Sequence, residues 1–255
     1  MSAVAAFNEE VQKFFHEARN GSLNVEEEFV EQQRLYTKYA DNYAQIRSEG
    51  GFQGPKQTSG AIYGLLGERK DAKILDYGCG IGPIADVLVD DYGFENIDGS
   101  DPCKELLDVA KSRNKMKNLF KIGSRDDHSI MGSKQYDLVC ASGVFFATPS
   151  HPDVSCIPTL CKLVKPGGWI VLSMGESYLT TQIMEDFSRL VDEGCIKMFS
   201  KEVYDGYRKS TPQEQAQGIM IKGAILKMQV VWKRFLQNIV ISNALFWKKI
   251  FSNRI

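Results

Sequence analysis

The chain has 255 residues, 43% of them hydrophobic, with 31 basic side chains against 32 acidic ones. That is enough apolar material for one α/β core without a second domain. It is also too balanced in charge for a protein that neutralises a phosphate backbone, because residues 1–214 carry 24 basic against 32 acidic side chains. The six cysteines form no C-x-x-C pair and the three histidines no cluster at ligand spacing, and residues 1–20 lack a signal peptide's apolar run. The expectation is a reduced, metal-free, cytoplasmic protein.

From the N-terminus, residues 4–18 and 25–45 have helical spacing, with Asn20-Gly21-Ser22 as stop and restart. Gly50-Gly51 and Gly54-Pro55 mark a loop. Helix and strand patterns then alternate from residue 62 to 174, giving five strands of a parallel sheet. Ile74-Leu75-Asp76-Tyr77-Gly78-Cys79-Gly80-Ile81-Gly82 is the most telling stretch. An apolar run closes on an acid and breaks into three alternate glycines, where the backbone turns sharply or lies against a ligand. Pro83 suits the first position of a helix over 83–92, so backbone N–H groups point into a crevice at a strand's carboxyl end. A structural turn also uses glycine, and the next strand decides between the two readings. One crossover later comes Ile97-Asp98-Gly99-Ser100-Asp101-Pro102, with a helix expected over 103–113. Asp101, or alternatively Asp98, is the acid placed to accept from a ribose diol; Asp101 also suits an N-cap.

Asp76-x-Gly78-x-Gly80-x-Gly82 differs from the dinucleotide G-x-G-x-x-G and resembles motif I of the class I S-adenosylmethionine-dependent methyltransferases. Gly99-Ser100-Asp101 is similar to that family's second motif. Residues 121–139 look like its third strand, adenine loop and fourth strand, and Leu163-Val164-Lys165-Pro166-Gly167-Gly168 looks like its turn into strand five, read as a helix ended by Pro166. Within the family, Tyr39-Ala40-Asp41-Asn42-Tyr43 and Cys156-Ile157-Pro158-Thr159-Leu160 resemble the group of methyltransferase-like protein 27 and its invertebrate relatives.

The resemblance implies a Rossmann-like α/β fold: a seven-stranded sheet, mostly parallel with an antiparallel last hairpin, and helices on both faces. With it the chain divides into an N-terminal helical lid (1–45) and an S-adenosyl-L-methionine-binding domain (46–229), and the charge and apolar pattern adds a basic amphipathic C-terminal helix (230–255). A helix over 180–193 and strands over 196–204 and 219–229 complete the domain. The cofactor residues it implies are Gly78, Cys79, Gly80 and Gly82 under the methionyl end, with Asp76 near its amino group. Asp101 faces the ribose, while Pro102 or Cys103 and the loop Ser124-Arg125-Asp126 flank the adenine. In that loop many relatives have Gly-Asp where Gly123-Ser124 stands, so Asp126 or a backbone carbonyl takes the adenine amine. The acceptor pocket is expected near Ser142 and residues 143–146 and 175–178, under a lid of Tyr39 and Tyr43, whose bland alternative is core packing.

The resemblance implies methyl transfer by in-line displacement to a small molecule or a protein, the alternative being a non-catalytic cofactor-binding module that engages partners. Positioning supplies most of such a rate, so no dedicated base is demanded. His151 and Asp153 are candidates for one, although His151-Pro152 reads more readily as a surface turn. The family's adenine and amide methylases carry (Asp/Asn)-Pro-Pro-(Tyr/Phe) after strand four, and this chain has Ala141-Ser142-Gly143-Val144-Phe145-Phe146; a nucleic-acid acceptor is disfavoured. After Glu214 only basic charges follow, seven of them, and an apolar stripe from Trp232 to Phe251 shares the segment with them. Only 13 uncharged residues separate Arg234 from Lys248, too few to span a bilayer. The segment could pack on the domain, lie on a membrane surface or bind a partner protein.

Overall fold

The protein is described from a computed structural model, which covers residues 3–123, 129–146 and 151–231. The expected C-terminal helix therefore lies outside the described residues, as do Ser124, Arg125, Asp126 and His128.

Four helices precede the sheet. In α1 (Ala3–Arg19), Val4, Phe7, Val11 and Phe14 recur at intervals of three and four and turn one stripe toward α2 (Val25–Tyr39) and α3 (Tyr43–Glu49), where Leu35, Tyr39 and Ile46 complete a small core. Asn24 starts α2: its side chain accepts from the N–H groups of Glu26 and Glu27, and the Glu27 carboxylate accepts from the Asn24 N–H. A 3-10 turn at Ala40–Asn42 interrupts the helix expected to run to residue 45. Gly54-Pro55, read as loop, instead opens α4 (Gly54–Leu66), since a proline in the first turn gives up an N–H that has no intrahelical acceptor.

The sheet then forms from β1 (Ile74–Tyr77), β2 (Ile97–Asp101), β3 (Asn118–Lys121), β4 (Tyr136–Ser142), β5 (Val164–Gly175), β6 (Ile196–Asp205) and β7 (Lys222–Val230). Their order is β3-β2-β1-β4-β5-β7-β6, with β1 to β5 parallel and β7 antiparallel to both neighbours. Between them run α5 (Pro83–Asp90), α6 (Lys104–Arg113), α7 (Ile157–Leu163), α8 (Thr181–Asp192) and the short α9 (Pro212–Ala216). Alternation sorts β4 between two cores. Leu138 and Cys140 meet Ile62 and Leu66 of α4 and Ile84 and Leu88 of α5, while Val139 and Ala141 face Ile157 and Leu160 of α7 and Phe187 of α8.

Two elements start earlier than the motifs indicate. The third strand ends at Lys121 rather than beginning there. Pro166 does not end a helix: α7 stops at Leu163, and Lys165-Pro166-Gly167-Gly168 forms a bulge inside β5, between the pairs Tyr136↔Val164 and Leu138↔Trp169. A bulge accommodates proline because the extra residues leave the ladder and need no donor. Val230, assigned to the tail by its charge pattern, closes β7 and is buried.

Candidate active site

The strand order reverses between β1 and β4, and a crevice opens at the carboxyl ends of these strands, where ligands of open α/β sheets bind. It encloses about 910 Å³, the open solvent at its mouth included. Asp76, Gly78, Cys79, Gly80, Asp101 and Pro102 form its floor, and Ser142 to Val144 one wall. Phe29, Gln32, Tyr36, Tyr43 and Arg47 come over it from α2 and α3.

The floor is held by backbone. Gly78 and Cys79 donate to the Ser100 carbonyl at 2.8 and 2.9 Å, tying the glycine turn to β2. Gly78, Gly80 and Gly82 all have positive φ, of 71°, 54° and 85°. At Gly78 the close approach is as demanding as the angle, for a Cβ there would stand 2.5 Å from a Val144 methyl. At Gly80 a Cβ would find only the Tyr43 ring, 3.9 Å away across the crevice.

Two carboxyl groups mark the floor. Asp101 accepts from Gly80 N–H at 2.8 Å and Cys103 N–H at 2.9 Å, and burial nevertheless pushes its pKa up to about 6. Asp76 is 1% exposed, and its Oδ2 has no hydrogen-bond partner among the described residues. Burial first, then the charge of Asp101, pushes its pKa up to about 8, while the Arg47 guanidinium pulls the other way. Arg47 is the one lysine or arginine among the described lining residues; it lies 3.7 Å over the Phe52 ring and 5.7 Å from that of Tyr43. A buried carboxyl oxygen lacking a donor, close to a cation and beneath a glycine turn, fits a zwitterionic amino acid joined to a nucleoside.

Of the residues singled out in the sequence, Asp76, Gly78, Cys79, Gly80, Asp101, Pro102 and Ser142 converge on the crevice. Gly82 stands just behind, as the left-handed residue that starts α5. Tyr39 is not among the lining residues. Its ring packs edge-on against Phe7 and its hydroxyl donates to Glu10 at 2.7 Å, so the helix turns it toward α1 and presents Tyr36 to the crevice instead. Tyr36 and Tyr43 meet edge to face at 5.7 Å. Asp98 stays outside the crevice, its carboxylate accepting from Tyr136 Oη at 2.9 Å and Asn118 Nδ2 at 2.8 Å.

His151 departs furthest from its expected surface turn. It is 6% exposed, lines the crevice, and lies against the amide nitrogen of Gln32, 2.6 Å from Nε2 and 3.0 Å from Nδ1. Asp153 instead caps the turn leading into α7, accepting from Ser155 N–H at 2.8 Å. Gln32 and Arg47 carry no local motif, and only the return of α2 and α3 over the sheet shows their role.

A family model described as a methyltransferase domain matches residues 43–205. The chain is 31% identical over 103 residues to the ubiquinone biosynthesis O-methyltransferase of Hydrogenovibrio crunogenus; the match spans 39% of this chain and 41% of that protein. Among solved structures, the [4+2]-cyclase SpnF superposes with a TM-score of 0.57 at 12% identity, covering 79% of this chain and 95% of that one. A TehB-like, SAM-dependent methyltransferase from Corynebacterium glutamicum gives 0.51 at 19% identity, covering 76% of this chain and 98% of that one. Both likenesses speak for the fold alone.

Proposed function

This chain belongs to the methyltransferase-domain family, and from that membership we propose that it transfers a methyl group from S-adenosyl-L-methionine to a small-molecule or protein acceptor. The observation that carries the reading is the buried Asp76 carboxyl, whose Oδ2 has no hydrogen-bond partner among the described residues while Oδ1 accepts only from the Cys140 thiol among them, beneath the glycine turn with Asp101 beside it. Asp76 receives the amino group of the cofactor and Arg47 its carboxylate. Asp101, already oriented by two backbone N–H groups, takes the ribose hydroxyls. Pro102 offers the adenine one apolar side, with Arg125 and Asp126 assigned to the other. Bound there, the cofactor supplies an electrophilic methyl on a sulfonium. The protein's part is to hold an acceptor in line, exclude water with Tyr36 and Tyr43, and place ring faces near the positive charge.

The motifs at Tyr39–Tyr43 and residues 156–160 support kinship with the methyltransferase-like protein 27 group. The 31% identical relative supports an oxygen acceptor. Residues 1–45 act as the lid of this reading and the basic tail as a surface for a protein or a membrane. A non-catalytic cofactor-binding module is the second reading, motivated by the adenine loop, in which Gly123-Ser124 stands where many relatives have Gly-Asp; labelled methyl appearing on any acceptor in an extract removes it. Calorimetry tests the first: binding of S-adenosylmethionine or S-adenosylhomocysteine is expected, and its absence at millimolar ligand overturns the proposal.

Two further outcomes are expected. Near neutral pH Asp76 is mostly protonated and an arriving ammonium favours its ionised form, so binding releases about one proton and tightens as pH rises toward 8. Calorimetry of S-adenosylhomocysteine in buffers of different ionisation enthalpy reads this directly; methylthioadenosine, which lacks the ammonium, should release far less. Removing residues 232–255, beyond the end of β7, should leave that affinity intact. A large loss would place the tail in the core.

A further inference from the structure

We propose that His151, held by Gln32, takes the proton from an acceptor hydroxyl, which makes the acceptor a phenol, an enol or an alcohol. The inference rests on the methyltransferase reading and adds the acceptor's chemistry to it.

His151 and Gln32 are 119 positions apart, both are 6% exposed, and both line the crevice that contains Asp76 and Asp101. The Phe146 ring meets the imidazole at 4.8 Å and 63°, fixing its plane. Gln32 Nε2 lies within hydrogen-bonding distance of both ring nitrogens, and a neutral imidazole offers one lone pair, so only one of the two contacts is a hydrogen bond donated by the amide. A donor amide in that place favours the unprotonated ring, because an imidazolium presents only N–H groups. The same amide, turned about its last bond, presents its oxygen and accepts from a ring N–H, which leaves the lone pair on the other ring nitrogen and still holds the ring once that is protonated. Glutamine therefore serves a histidine that changes charge during turnover, where a carboxylate would hold it protonated.

In the step itself the Gln32 amide oxygen accepts from the N–H of one ring nitrogen, which puts the lone pair on the other; the O–H bond of the acceptor breaks and its proton goes to that second nitrogen of His151. The oxygen pair forms the new bond to the methyl carbon, and the pair of the broken carbon–sulfur bond stays on sulfur. An amine arriving neutral, or an ionised carboxylate, would need no such group. Ser142, half-buried on the same crevice wall with its hydroxyl oxygen buried and unpartnered among the described residues, is a further donor for the acceptor's oxygen.

The test uses the full chain saturated with S-adenosylhomocysteine, nitrogen-15 labelled at histidine, with catechol as the probe. Before catechol is added, the His151 ring nitrogens should report the neutral form, and catechol should shift them while those of exposed His16 stay fixed. Aniline and benzoate should have no such effect. His151 is assigned by the resonance lost in His151→Gln or, should that variant not fold, by elimination with His16→Gln and His128→Gln. With S-adenosylmethionine and catechol, His151→Gln should lower kcat by roughly a hundredfold or more, leaving KM for the cofactor unchanged. Gln32→Leu should alter the ring nitrogen shifts before any ligand is added. If S-adenosylhomocysteine binds and His151 ignores catechol, or answers aniline instead, the proposal falls while the methyltransferase reading stands. If S-adenosylhomocysteine does not bind, it is the reading that falls.

Discussion

Replacing Gly78 with valine is expected to cost about 2–5 kcal/mol of stability, more than any other change in the glycine turn, since it joins a left-handed backbone penalty to an overpacked site. The residue sits at φ 71°, and its missing side chain is the space occupied by Val144. Both penalties arise together because the turn is clamped: Gly78 N–H is bonded to the Ser100 carbonyl, so the backbone cannot rotate away without abandoning β2. The urea midpoint of the purified variant measures the effect, and a loss below 1 kcal/mol would show that the wall behind the turn yields. Gly64→Ala provides the contrast. It lies within α4 with nothing near its absent Cβ, and the change should stabilise by roughly 0.5–1 kcal/mol.

Asp101→Ala is expected to weaken S-adenosylhomocysteine binding by about 1–3 kcal/mol, or roughly 5- to 150-fold. The carboxylate does two things at once. It would accept from the ribose, and it already accepts from Gly80 and Cys103, holding the glycine turn against the start of α6. Its loss leaves two N–H groups without that acceptor as well as a sugar without a partner. Asp98→Asn is the control: its carboxylate joins Tyr136 to Asn118 away from the crevice, so it should lower the melting temperature and spare the affinity. Calorimetry on both variants decides, and equal affinities for Asp101→Ala and the parent would mean that another group takes the ribose.

The floor of the crevice was legible in the sequence because all its determinants are local. Three glycines at alternate positions, an acid before them and a proline after them specify a turn whatever surrounds it. The strands follow from period and length for the same reason, while the antiparallel last hairpin came from the resemblance to the methyltransferase family. Tyr43 was legible as a residue over the crevice, but its companion on α2 was not. Tyr36 and Tyr39 are equally plausible in the amphipathic pattern of α2, and only the packing of α1, through Phe7 and Glu10, decides which of them turns away. His151 departs from its local pattern for a related reason: a His-Pro pair favours a surface turn locally, whereas here the ring is buried against Phe146 and against Gln32, more than a hundred residues away. Pro166 shows the limit of punctuation. It marks an irregularity, but only the pairing of β4 with β5 reveals a bulge instead of a helix end.

The two carboxyl groups beneath the turn have a consequence for the life of the protein in a cell. Buried near each other in the floor, they resist ionising together, and their pKa values of about 8 and 6 make the fold alone lose stability as pH climbs from about 4 to 8. An occupant bearing a positive charge removes that cost. Chains that find one should outlast chains that do not when proteases sample transient openings. Supply of methyl donor would thereby set how much of this protein persists, and half-life after methionine starvation is where the coupling should become visible.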